Sequence, residues 1–213
     1  MNIISDVELR EGWWWPRTDK RCWDYMQSHA DVPQLVTDFV PTQKRRVVVQ
    51  AGGNCGFYPK KYAGLFERVY TFEPDWLNFY CLNLNVPEQN VVKIQSCVGE
   101  THQTVGLHIK GINRGKNFVN GAGSYPMFRI DDLALDQCDL IQLDIEGYEY
   151  YSLMGAVDTI KKFSPIVVVE VWDQHDNRFD KHLNQKLNDL LTSLNYELVT
   201  TLYESDRVYK FKK

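Results

Sequence analysis

"VVVQAGGNCGFYP", Val47 to Pro59, runs valines into a glycine-rich turn and then resumes with helical spacing. Val47 to Gln50 reads as a buried strand, and Phe57 to Arg68 as a helix with Tyr62, Leu65 and Phe66 on one side. The same alternation extends outward on the C-terminal side. "VYTFEP" is a second strand, a helix over "DWLNFYCLNLN" leads to a third, "VVKIQS", and beyond an irregular middle "CDLIQLDI" and "PIVVVEVW" are two more, separated by a helix over "EYYSLMGAVDTIKKF". Strands apolar on both faces and spaced by helices imply a parallel sheet covered on both sides. A helix over Lys181 to Leu194 then precedes "YELVTTLYES" and "DRVYKFKK", which almost touch in sequence. So short a link permits only an antiparallel hairpin, because a parallel return needs a crossover of about a dozen residues. The expected fold is α/β, a doubly wound, mostly parallel sheet whose last strand is antiparallel.

Composition bounds the partners. The 213 residues, 44% of them hydrophobic, suffice for one core, and a second independent domain is not expected. A net charge of -4 supplies no global field for nucleic acid. Five cysteines, Cys22, Cys55, Cys81, Cys97 and Cys138, lack both zinc spacing and disulfide density, so reduced thiols and a cytoplasmic setting are expected. No apolar run has bilayer length, and the acids in "MNIISDVELREGWWWPR" do not suit a signal peptide, so no membrane partner is expected.

The glycine turn narrows the ligand. Gly52, Gly53, Asn54, Cys55, Gly56 lacks the G-x-G-x-x-G spacing of a dinucleotide site, and no Gly-Lys-Ser/Thr follows to make a phosphate loop. What remains is a tight strand-to-helix turn at the carboxyl edge of the sheet, where open α/β folds place ligands. Glu73 closes the next strand about 20 residues on, where an acid reaches ribose hydroxyls. A ribose-bearing ligand without a pyrophosphate fits both features, and S-adenosylmethionine (SAM) fits better than NAD.

"VVVQAGGNCGFYP", "VYTFEPD", "FRIDDL", "DLIQLDIEGYEYYSLMGA" and "PIVVVEV", in that order, resemble the successive motifs of the FkbM-type SAM-dependent methyltransferases. The resemblance runs from Val47 to Trp172 and implies the seven-stranded class I methyltransferase sheet over residues 47–213, with residues 1–46 as an N-terminal cap or lid. It also implies that Gly52, Gly53, Asn54 and Gly56 pack against the methionine part of the cofactor, that Glu73 binds the ribose, and that Ser96, Cys97 and Val98 border the adenine. Where the family usually carries an aspartate near the cofactor's amino group, this chain has Gln50, which still donates and accepts hydrogen bonds.

Methyl transfer from a sulfonium is an in-line displacement, so an acceptor hydroxyl must be held at the methyl carbon and its proton accepted. Asp144 and Glu146 lie two apart at a strand end and share a face while the backbone stays extended. Glu146 is the preferred base or orienter, because Gly147 lets the backbone approach a ligand. Asp144 serves either as cofactor orienter and catalytic acid or as a helix cap. His175, in the loop after the next strand with Asp173, has a pKa suited to proton transfer, or is a solvated surface residue. Glu170, with Asp144 and Glu146, is a weak candidate for holding a divalent metal. Cys55 is read as a small apolar residue rather than a nucleophile.

Two segments bear on the acceptor. "KGINRGKNFVNGAGSYP", Lys110 to Pro126, reads as a flexible basic loop whose Lys110, Arg114 and Lys116 either clamp an anionic or polyhydroxylated acceptor or are solvated. Trp13, Trp14, Trp15 and Trp23 form a lid over the acceptor or a homo-oligomer contact. The reading the resemblance implies is O-methylation of a sugar, glycan or similar small polar metabolite. A nucleic-acid acceptor, bound by the tryptophans with Arg114 and Lys116, and a noncatalytic binding protein, suggested by Gln50, are the alternatives.

Overall fold

A computed structural model describes residues 3–171 and 181–212. Its main sheet has seven strands: β1 (Val47–Ala51), β2 (Arg68–Phe72), β3 (Val91–Ile94), β4 (Leu140–Leu143), β5 (Ile166–Glu170), β6 (Tyr196–Leu202) and β7 (Asp206–Phe211). They lie in the order β6-β7-β5-β4-β1-β2-β3. The pairings among β1 to β5 are parallel, whereas β7 runs antiparallel to both β5 and β6. The reversed last strand therefore slots between two others rather than adding at the edge. The valine runs explain the centre of the sheet, since every residue of β4 and β5 is buried.

The helices are α1 (Cys22–Ser28), α2 (Val32–Thr37), α3 (Phe57–Ala63), α4 (Trp76–Asn85), α5 (Glu149–Met154), α6 (Val157–Phe163) and α7 (Lys181–Ser193). Two differ from the sequence expectation. The α3 helix stops at Ala63 instead of continuing to Arg68. The single helix expected over 149–163 is two, broken at Gly155, where an added Cβ would lie 2.0 Å from the Gly99 carbonyl oxygen. That approach of distant backbone is invisible to helical periodicity. The "IDDL" motif also finds its role here: Asp131 accepts the N–H groups of Thr159 (2.8 Å) and Asp158 (3.3 Å), capping α6 from outside the helix.

One face of the sheet carries a core that the N-terminal segment completes. Val7–Arg10 pairs with Trp13–Pro16 in an antiparallel hairpin, and Trp15 is fully buried with Trp23 edge-on to it at 5.2 Å. Asn85 of α4 grips Trp14 on both sides, accepting from its N–H and donating to its carbonyl, each at 2.8 Å. Trp13 stacks on Phe57 at 4.6 Å. The tryptophan run is thus a strand packed on α3 and α4, and Trp13, Trp14 and Trp15 are not among the residues lining the cavity at the strand ends. The reason is alternation: a strand turns one tryptophan wholly inward and leaves its neighbours half-buried against helices.

Loss of this packing is measurable. Trp15→Ala is expected to cost about 3–5 kcal/mol in denaturant unfolding. Trp15→Phe is expected to cost less than half as much, because the Trp15 Nε1–H is buried without a hydrogen-bond partner and its removal recovers part of the loss.

Candidate active site

The carboxyl ends of β1, β2, β4 and β5 open onto one cavity of about 380 Å³. Its floor is the glycine turn. Gly52 has φ +87°, and a Cβ there would lie 1.9 Å from the Asp144 carbonyl oxygen, so only glycine lets β1 and β4 close together. At Gly53 a Cβ would meet Thr71 Oγ1 at 2.7 Å. Asn54 follows in the left-handed region, φ +45°, and its N–H donates to Glu73 Oε2 at 2.8 Å.

Glu73 also accepts the Asp75 N–H at 2.8 Å through Oε1. Burial, with the Asp75 charge behind it, pushes its carboxyl up to about 8. Beyond it, Ser96, Cys97 and Val98 line the cavity. Ser96 Oγ is fully buried and lacks a hydrogen-bond partner, an unusual condition that a bound ligand would relieve.

At the opposite end stand acids. Oxygens of Asp144, Glu146 and Glu170 lie within 4.8 Å of one another. Asp144 and Glu146 come together through a turn and not through the expected shared strand face, because β4 ends at Leu143. Glu146 turns into the left-handed region, φ +55°, followed by Gly147 at +95°. Glu149 stabilises this turn: its Oε1 accepts the N–H groups of Ile145 (3.0 Å) and Gly147 (3.2 Å), on either side of Glu146. Burial pushes Glu170 well above the carboxylate range, with the Asp144 and Glu146 charges adding to it. Asp144 is raised by burial and drawn back by its hydrogen bond with Glu170, so the two carboxyls titrate as a pair.

Asp206 sits opposite Glu170 in the β5–β7 ladder and is pushed up to about 7 by burial and then by Asp144. Sequence reasoning missed it, as only the slot taken by the reversed strand brings it here. It also missed Glu149 and the α1 residues Cys22, Tyr25 and Met26, which with Arg21 roof the cavity.

Most of the sequence-predicted residues line this one cavity: Gly52, Gly53, Asn54, Glu73, Ser96, Cys97, Val98, Asp144, Glu146 and Glu170. Gln50 and Gly56 do not. Gln50 is buried beneath the turn, where its Nε2 donates to the carbonyls of Ala51 (3.1 Å) and Gly52 (2.9 Å) while its Oε1 accepts from Thr71 (2.5 Å). Gly56, φ +96°, packs α3 against α4, since a Cβ would lie 2.5 Å from Val86 Cγ2. His175 lies outside the described residues. Cys55 is wholly buried, and burial pushes its thiol well above the ordinary value, so it serves as packing. Arg114 is buried against Asp75 with Nη2 2.9 Å from the carboxylate, so it does not offer the open basic clamp expected of its loop.

A family model described as the methyltransferase FkbM domain matches residues 50–198. Among solved structures, the FkbM methyltransferase of Methylobacillus flagellatus superposes with a TM-score of 0.59 at 19% identity, covering 79% of this chain and 44% of that one. This chain therefore spans less than half of that protein's length. A precorrin 8W decarboxylase of Methanobacterium thermoautotrophicum gives 0.51 at 13% identity, covering 84% of this chain and 89% of that one. A precorrin-6y C5,15-methyltransferase of Geobacter metallireducens gives 0.50 at 11%, covering 84% and 87%. At these identities the superpositions establish the fold. No curated protein sequence matches the chain.

The buried acids set a pH dependence. Glu73, Glu149 and Asp206 are raised in the folded state to about 8, 7 and 7, above their unfolded values, so the native state binds more protons than the unfolded chain between those limits. Their contribution is fully present below the unfolded pKa and is lost as pH rises through the folded one. Between about pH 4 and 7, thermal melting of Asp206→Asn is expected to fall less steeply with pH than that of the wild-type chain; parallel slopes would contradict the assignment.

Proposed function

Because the chain belongs to the FkbM methyltransferase family, we propose that it transfers a methyl group from SAM to a hydroxyl oxygen of a sugar, glycan or similar small polar metabolite. The observation that carries this reading is the polarity of the cavity from end to end. Glu73 and the orphaned Ser96 hydroxyl stand at the ribose and base end, the glycine turn lies between, and a packed group of carboxylates faces the far end.

The residues fit SAM. A cavity of about 380 Å³ lies within the usual range for small-molecule sites. Glu73 accepts the ribose hydroxyls, while Gly52 to Asn54 present bare backbone to the amino-acid portion. When bound, the sulfonium supplies an electrophilic methyl carbon. The acids of the far end place negative charge opposite that positive centre. Glu146 would accept the acceptor hydroxyl's proton as the methyl group moves to that oxygen. Asp144 and Glu170, hydrogen-bonded to each other at the same end, orient neighbouring hydroxyls. Three acids this close also suit a hard cation, although the transfer itself requires none.

The same geometry favours a small acceptor over a nucleic acid. Arg114 spends its charge on Asp75, and Trp15 and Trp23 are buried, so the features that would bind single strands are committed to the fold.

Calorimetric titration tests the cofactor directly: saturable binding of SAM and S-adenosylhomocysteine without NAD binding is expected, and the reverse preference would sink the proposal. Glu73→Gln, chosen because Glu73 also holds the Asn54 and Asp75 N–H groups, should weaken S-adenosylhomocysteine binding by about tenfold or more. Glu146→Gln should retain that affinity and lower turnover on a sugar acceptor, read as methylated product formed, by roughly 10²-fold or more; wild-type turnover would remove Glu146 from the chemistry.

A further inference from the structure

The loop that precedes the fourth sheet strand holds an arginine in an unusual state. Arg114 is 9% exposed, and its Nη2 lies 2.9 Å from Asp75, which is itself 0% exposed. Its backbone N–H donates to Asp19 Oδ2 at 3.0 Å, and Asp19 Oδ1 in turn accepts the Cys22 N–H at 3.0 Å at the start of α1. Asn117, three residues on, donates to Asp75 Oδ2 at 2.8 Å. The loop is thus fastened on one side to the segment just past Glu73 and on the other to the roof helix.

Arg114 lines the cavity, and its Nε–H is buried without a partner. A guanidinium fixed this tightly cannot swing away to find water, so the donor stays uncompensated until something enters the cavity. Its position is at the nucleoside end. Asp75, the anchor, lies two residues beyond Glu73, and Val119 and Tyr125, from the same stretch of chain, pack against the cluster that contains Cys97. Cys97 belongs to the stretch, with Ser96, whose orphaned hydroxyl lines the same cavity.

We infer that Arg114 is a cofactor-recognition residue, its Nε–H donating to a ring nitrogen of the adenine, so that a loop outside the strand-end motifs reads the base. This rests on the SAM reading of the cavity. A purine offers only acceptors along its ring nitrogens, which is the complement a lone buried N–H requires, whereas the ribose hydroxyls are served by Glu73. The Arg114–Asp75 pair then has a function beyond tethering: it neutralises the guanidinium and fixes the direction of the Nε–H.

Calorimetry with wild-type protein and three analogues of S-adenosylhomocysteine, the 1-deaza, 3-deaza and 7-deaza compounds, tests this without altering the chain. One of the three should bind about tenfold or more weakly than the parent, and equal affinity for all three would overturn the assignment. Arg114→Lys keeps a charge for Asp75 but has no Nε–H. It should show the same loss against S-adenosylhomocysteine and against 5′-methylthioadenosine, which lacks the amino-acid portion, and should no longer discriminate against the penalised analogue. A loss confined to S-adenosylhomocysteine would place the arginine at the amino-acid carboxylate and overturn the base assignment. Failure of the wild-type chain to bind S-adenosylhomocysteine at all would instead overturn the cofactor reading on which the inference stands.

Discussion

The contact between the Gly52 backbone and the Asp144 carbonyl decides the rest of the site. Adjacent parallel strands that end together carry their following turns into the same space, and here no side chain fits between those turns. The turn that floors the cavity and the segment that carries the acids therefore pack as one piece. Gln50, beneath them, donates to the carbonyls of Ala51 and Gly52 and so holds the turn from below. Its amide satisfies backbone acceptors that a carboxylate at the same position would repel.

Around that piece the chain accepts a cost in stability. Asp144, Glu146 and Glu170 share a small volume, Asp206 stands across the ladder, and Glu146 occupies a left-handed conformation that an ordinary residue avoids. Such groups are tolerated where neighbours over-determine them. Glu149 does this for the Glu146 turn and the Asp144–Glu170 hydrogen bond does it for the pair. The low dielectric that makes these acids costly also makes them responsive to a cation or to a developing proton.

Much of this was legible in the residues. Valine runs bounded by glycine and helices revealed the sheet, and the short link before Asp206 revealed the reversed strand, because both are local signals. The glycine turn and Glu73 were legible as one site because strand ends in this architecture converge. What escaped was non-local. The break at Gly155 depends on Gly99, and the burial of Arg114 depends on Asp75 and Asp19, far away in sequence, although its Gly- and Asn-rich surroundings read as an open loop. The tryptophan run was misplaced for a related reason: periodicity tells which faces of a strand differ but not which surface the apolar face meets.

The slot occupied by β7 bears on how the protein is made. A ribosome delivers the turn after β1 early, but Asp206 completes the acidic end only after β5 has waited for a strand that arrives some distance later in the chain and inserts beside it. Until then β5 exposes an unpaired edge. Long-range pairing of this kind is slow and leaves partly folded chains prone to sticking to one another. Asp206 thus joins the acidic end only after the strands that carry the glycine turn, Asp144 and Glu170 have already been made.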